Sequence, residues 1–311
     1  MNSIILRAPA KVNTFLKVVG RRDDGYHELE MVMVPLSLHD TVILEKSSGE
    51  ISFSQEGLSD EGMKGEKNLC SKIASLFKHE SGTTFGVKIH LIKRIPLAAG
   101  LGGGSSDAAS VLMGLNLLWD VKWDRDRLSQ LGCRLGADIP FFCYGKPSFV
   151  HGIGDKVEPV ENFPNLSILL INPGISLSTR TVYENFDLRL TATDGDASVR
   201  RICDPNFGRV FKGLEDVCSS LTNDLESVAI KFYPEIQEIK DYLVNSGAKG
   251  VMMSGSGSTV FGIFDNMEEV SAANEALPRL HWTGYAVKYD PSLNFLGGNY
   301  GDHRSESFSS E

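Results

Sequence analysis

The period of the apolar positions changes several times along the chain, and each change predicts an element. "SIILRAPAKVNTFLKVVG" at residues 3–20 mixes β-branched residues with turn formers and predicts strand. The polar "GRRDDGYH" then turns the chain. "GYHELEMVMVPLSLHDTVILEK" resumes an alternation around Met31–Leu38 and Thr41–Leu44. From Asn68 the period lengthens. Leu69, Ile73, Leu76 and Phe77 fall on one helical face. "FGVKIHLIKRIP" returns to strand, with Val87, Ile89 and Leu91 on one side, and Pro96 ends it. A glycine run follows. Ala108, Val111, Leu112, Leu115 and Leu118 then form a helical stripe, with Ser105, Ser106 and Asp107 as suitable N-terminal residues. "DRDRLSQLGCRLG" predicts a further helix, and residues 137–160 predict loop and strand.

Beyond a polar, proline-containing stretch, "LSILLINPG" predicts a buried strand. Helices are expected around 208–220, 223–232 and 234–246. "AKGVMMSGSGSTVFGIF" predicts strand, glycine turn, strand, and "EEVSAANEAL" and "HWTGYAVKYD" a last helix and strand. The elements group as two α+β halves rather than a regular βαβ alternation. The expected division is 1–155 and 156–295, with 296–311 a polar, disordered tail.

Composition narrows the classes. The chain has 311 residues, 41% hydrophobic and 23% charged, which suits a globular protein with substantial cores. Its net charge of −9 argues against a nucleic-acid partner. No signal peptide is visible and no apolar run approaches the ~20 residues that span a bilayer, so no membrane partner and a cytoplasmic location are expected. The five cysteines show no CxxC pair and the seven histidines no paired ligand spacing. Neither a disulfide framework nor a protein-held metal is expected.

The candidate chemistry begins at "IPLAAGLGGGSSDAA", residues 95–109. Walker A fails on it because no lysine lies between the glycines and Ser105. The dinucleotide fingerprint fails because Ser105 stands where its third glycine belongs. What survives is an anion cradle: glycines admit a phosphate close to the backbone, and the following helix offers free N–H groups. Asp138, between "LGA" and "IPFF", is a carboxylate in apolar surroundings that calls for a partner or a role, with a turn or cap aspartate as the equal alternative. Lys11 read alone is a strand lysine, and Tyr26-His27 read alone is structural.

Together these blocks resemble the GHMP kinases. "PLAAGLGGGSSDAA" is similar to their second signature and "SGSGSTVFGIF" to their third, while "APAKVNTFLKVVGRRDDGYHELEMV" and "LGADIPFF" extend the match over residues 7–264. The resemblance implies a two-domain α+β fold, N-terminal ribosomal-protein-S5-domain-2-like and C-terminal ferredoxin-like, with the active site in the cleft between. It implies ATP-dependent phosphorylation of an alcohol, with Asp138 as catalytic base and Lys11 its partner. The implied ATP residues are Asn68, Lys93, Pro96, Leu97, Ala98, Ala99, Gly100, Leu101, Gly102, Gly103, Gly104, Ser105 and Ser106. Lys93 would lie beside the adenine as a local positive charge. Mg2+ would arrive with ATP, Ser106 contributing. "DGYH" and Tyr183 point to the branch whose small-molecule acceptor carries a cytidine diphosphate group, bound by Asn13, Tyr26, His27 and Tyr183. Arg21 and Arg22 could add charge for the diphosphate, though no motif covers them. A homoserine- or mevalonate-type kinase is the alternative within the family, and a non-catalytic nucleotide-binding regulator the alternative outside it. A monomer or weak homodimer is expected.

Overall fold

The computed structural model describes residues 1–23, 25–58, 68–186, 210–278, 281–289 and 291. The predicted tail at 296–311 and Cys203 lie outside them.

Two sheets carry the fold. β1 (Ser3–Arg21) and β2 (His27–Ser47) form a long antiparallel hairpin. β4 (Gly86–Lys93) pairs antiparallel with β2, and β3 (Ile51–Gly57) pairs parallel with β4. β5 (Ser148–Gly152) pairs with the other end of β2, and β6 (Lys156–Pro159) with β5. The second sheet is antiparallel in the order β11 (Thr283–Tyr289), β7 (Leu166–Asn172), β10 (Val260–Phe264), β9 (Gly250–Met253). The chain thus passes from one sheet to the other over residues 160–165. β8 (Thr222–Asn223) returns to pair parallel with Phe15 and Leu16 of β1.

Helices α1 (Leu69–Ser81), α2 (Gly103–Leu118) and α3 (Arg125–Cys133) form where the apolar stripes predict them. Asn68 caps α1 by accepting from Cys70 N–H at 2.8 Å, and Asp124 caps α3 by accepting from Arg127 N–H at 2.8 Å. α5 (Thr179–Glu184), α6 (Leu214–Ser220), α7 (Glu226–Phe232), α8 (Glu235–Asn245) and α9 (Met267–Glu275) belong to the second half.

Four expectations are corrected. α2 begins at Gly103, so Ser105, Ser106 and Asp107 lie inside its first turns instead of capping it; Gly102, at φ 68°, makes the turn into the helix. Residues 137–160, expected as loop and strand, open with the short helix α4 (Ile139–Tyr144). The helix expected from 208 starts at Leu214, after the extended Gly213. The helix expected from 223 starts at Glu226, because Thr222 and Asn223 are held as strand against β1.

β1 is buried on both faces from Ala8 to Val18, so strict alternation is lost there. Leu6 and Ala8 belong to the core under α2, while Ala10 and Val12 belong to the core between the two sheets. The switch coincides with a register shift between Pro9 and Lys11, where two steps along β1 oppose the four from His39 to Pro35 on β2. Lys11 and Asn13 therefore turn away from the inter-sheet core, toward the start of α2.

A buried charge cluster ties three elements together. Lys93 Nζ donates to Asp40, and to Asp107 at 2.8 Å. Asp40 also accepts from Arg94 N–H at 2.5 Å and Ile95 N–H at 2.8 Å. Burial works against the Lys93 ammonium, but the two carboxylates outweigh it and raise its pKa. Burial, with Asp40 adding and Lys93 opposing, raises the Asp107 carboxyl above the usual carboxylate range. Asp40→Ala strips three donors of their acceptor inside the core and is expected to lower the unfolding free energy by about 3–5 kcal/mol in denaturant titration. The folded protein also keeps an Asp107 proton that the unfolded chain releases. That stabilisation is present at acidic pH and lost as pH rises through the raised value, and Asp107→Asn should flatten this slope.

Candidate active site

A cavity of about 1420 Å3 opens between the two halves, larger than a single small-ligand pocket requires. Strand β1, the loop before α2, the start of α4 and the segment 176–186 all reach it.

The glycine loop follows β4. Its backbone takes positive φ at Ala98 (49°), Gly100 (75°) and Gly102 (68°). Gly100 is required twice over, since a Cβ there would run into the Ser254 carbonyl oxygen. A Cβ on Gly104 would meet nothing within 4 Å, so the loop presents bare backbone to the cavity at the N-terminus of a 16-residue helix. The first N–H groups of that helix have no intrahelical acceptor. An anion seated there gains those donors and the positive end of the helix dipole.

The turn between β9 and β10 braces this loop. Ser254 Oγ donates to the Gly100 carbonyl at 3.0 Å, and Thr259 N–H donates to the Ala99 carbonyl at 3.4 Å. Asn223 Nδ2 in turn donates to the carbonyls of Met253 and Gly255, both at 2.8 Å. Its neighbour Asp224 accepts from Val18 N–H at 2.9 Å. "TND" at 222–224 therefore staples β1 to the turn that holds the glycine loop. Sequence reasoning missed Asn223 and Asp40, because a side chain that satisfies a distant backbone leaves no periodic signal.

Lys11 and Asp138 meet at the mouth of the loop. Lys11 N–H donates to the Leu101 carbonyl at 3.0 Å. Its Nζ donates to Asn13 Oδ1 at 2.6 Å and lies 4.0 Å from Asp138 Oδ2. Burial lowers the Lys11 pKa, and Asp138 partly restores it. Asp138 occupies the N-cap position of α4, yet its carboxylate makes no capping hydrogen bond and stays 34% exposed. Asp138 thus sits in the turn before α4 without serving as a side-chain cap.

The expected acceptor residues line the same cavity. His27 and Tyr183 stack on each other, ring centroids 5.1 Å apart and 29° between planes, with Phe186 edge-on to His27 at 6.4 Å. Burial and then the charge of Arg21 lower the His27 pKa, so the ring is neutral near pH 7. Tyr26 is 62% exposed beside them.

All but one of the expected site residues, from Lys11 to Tyr183, line this one cavity. The exception is Ser106, fully buried with its Oγ unpartnered. Asn68 reaches the cavity while its side chain caps α1. Lys93 also reaches it, but the expected local positive charge is corrected. Asp40 and Asp107 answer that charge inside the core, because an ammonium this buried needs carboxylate partners.

The comparisons with known proteins agree with this geometry. The sequence pattern described as "GHMP kinases N terminal domain" matches residues 68–146, and "GHMP kinases C terminal" matches residues 201–282. The 4-diphosphocytidyl-2-C-methyl-D-erythritol kinase of Syntrophotalea carbinolica is 44% identical over 90% of this chain and 97% of its own length. A crystal structure of 4-(cytidine 5'-diphospho)-2C-methyl-D-erythritol kinase superposes with a TM-score of 0.75 at 35% identity, covering 92% of this chain and 100% of that one. Homoserine kinase from Cytophaga hutchinsonii shares the fold, at TM-score 0.71 and 18% identity over 93% of this chain and 95% of its own. The chain belongs to the GHMP kinases and is a small-molecule kinase. Within that class it belongs to the 4-diphosphocytidyl-2-C-methyl-D-erythritol kinase family.

Gly100→Ala is expected to weaken ATP binding by more than about tenfold in calorimetric titration while leaving the circular dichroism of the folded chain unchanged. The substitution forces the loop off Ser254.

Proposed function

We propose that the chain transfers the γ-phosphoryl group of ATP to the 2-hydroxyl of 4-diphosphocytidyl-2-C-methyl-D-erythritol, a step of non-mevalonate isoprenoid precursor synthesis. The observation that carries this is the placing of three groups around one cavity: the bare loop at α2, the Lys11–Asp138 pair, and the His27–Tyr183 rings. The relatives at 44% and 35% identity bear the same substrate in their names, and the homoserine kinase likeness extends only to the fold. The homoserine- and mevalonate-type alternative is not favoured.

In this reading the loop from Pro96 to Ser105 holds the ATP phosphates and Asn68 contributes to the nucleotide wall. Asp138 accepts the acceptor's hydroxyl proton as the new P–O bond forms and the bond to ADP breaks. Lys11 lies beside Asp138, and its ammonium offsets negative charge on the moving phosphoryl group. Asn13 fixes Lys11 by accepting from Nζ. The aromatic wall takes the cytosine. Neutral His27 can both donate to and accept from the base edge, and Tyr183 supplies the stacking face. The two rings now lie against each other, so a base between them must part them. Among the described residues no His, Cys, Asp and Glu group could cage a metal. An Mg2+ ion would arrive on the phosphates, with the orphaned Ser106 hydroxyl as a candidate protein contact. When bound, such an ion neutralises phosphate charge. Among the described residues no helix is long and apolar enough to cross a membrane.

Asp138→Asn is expected to cut kcat by about 10²–10⁴-fold in a coupled ADP-release assay while ATP affinity persists. Near-normal turnover would remove Asp138 from this role. Because burial depresses the Lys11 pKa, activity should fall on the alkaline side at a midpoint below the ordinary lysine value of about 10.4. In Lys11→Arg the remaining activity should persist to higher pH.

A further inference from the structure

Arg21 and Arg180 stand on the cavity wall without a part in the chemistry above. Both are exposed, and among the described residues neither guanidinium makes a hydrogen bond or ion pair. Each flanks one ring of the aromatic pair. Arg21 is directly cross-strand from His27 in the β1–β2 register. Arg180 lies three residues before Tyr183 on α5, hence on the same side of that turn. Two unanswered cations thus bracket the place where the base sits.

Charge elsewhere in the cavity makes this pairing useful. The glycine loop can serve the phosphates of ATP, but the acceptor brings two phosphates of its own. Lys93 is neutralised, Lys11 is engaged with Asn13 and Asp138, and Asp138 and Glu184 add negative charge to the wall. The chain as a whole carries −9, so an anionic ligand must be drawn in by local cations. A guanidinium is planar, permanently charged and able to take two phosphate oxygens at once.

We propose that Arg21 and Arg180 bind the diphosphate of the nucleotide acceptor, so that the site selects a nucleoside diphosphate over a bare nucleoside. This rests on the cytidine-acceptor reading above. The test titrates cytidine and CDP into the full chain by calorimetry, with a non-hydrolysable ATP analogue saturating the donor site and reporting that each variant is folded. Wild type should bind CDP more tightly than cytidine. Arg21→Ala and Arg180→Ala should each weaken CDP by about tenfold and leave cytidine unchanged. An unchanged CDP-to-cytidine ratio in the double variant overturns the inference alone. Wild-type protein that binds neither cytidine nor CDP overturns the acceptor reading and this inference with it.

Discussion

An ammonium group buried under a glycine loop must have its charge answered, and the catalytic end of this protein is arranged around that requirement. Lys11 is 6% exposed at its side chain, donates to Asn13 and lies 4.0 Å from Asp138. Its backbone N–H holds the Leu101 carbonyl of the loop. One residue therefore links the strand that runs through both cores, the loop suited to ATP phosphates and the carboxylate suited to the acceptor proton. It stands just after the register shift between Pro9 and Lys11, where β1 passes from one core to the other.

The second sheet takes part in that arrangement through backbone contacts. Ser254 and Thr259 hold the glycine loop from one side, and Asn223 fixes their turn to β1. On the other side Asp40 and Asp107 hold Lys93 directly beneath Gly103, where a Cβ would crowd Nζ. The loop thus rests on a neutralised cluster rather than on a free cation. The groups it offers to an anion are backbone N–H groups and the helix end, with the Lys11 ammonium nearby.

Much of this was legible in the sequence where one residue type at one spacing carries a physical meaning. The stripes at Leu69–Phe77 and Ala108–Leu118 gave their helices, and the glycines after Pro96 marked the positive-φ loop that opens α2. Asp138 in an apolar setting pointed to a partnered carboxylate. The pairing of Lys11 with Asp138, and the role of Tyr183, came from family resemblance. Spacing cannot say that residues far apart in the chain converge. Asp40, Asn223 and the charge state of Lys93 were hidden because each depends on a long-range contact. α4 was hidden because its six residues are too few to set up a period.

The most direct measurement of the central claim is a crystal structure with a non-hydrolysable ATP analogue and the cytidine-diphosphate acceptor bound together. The account predicts an Asp138 carboxylate oxygen about 2.6–3.2 Å from the acceptor's 2-hydroxyl, with the γ-phosphate in line at the end of α2. A hydroxyl turned toward another group, with Asp138 facing away from it, would contradict the account.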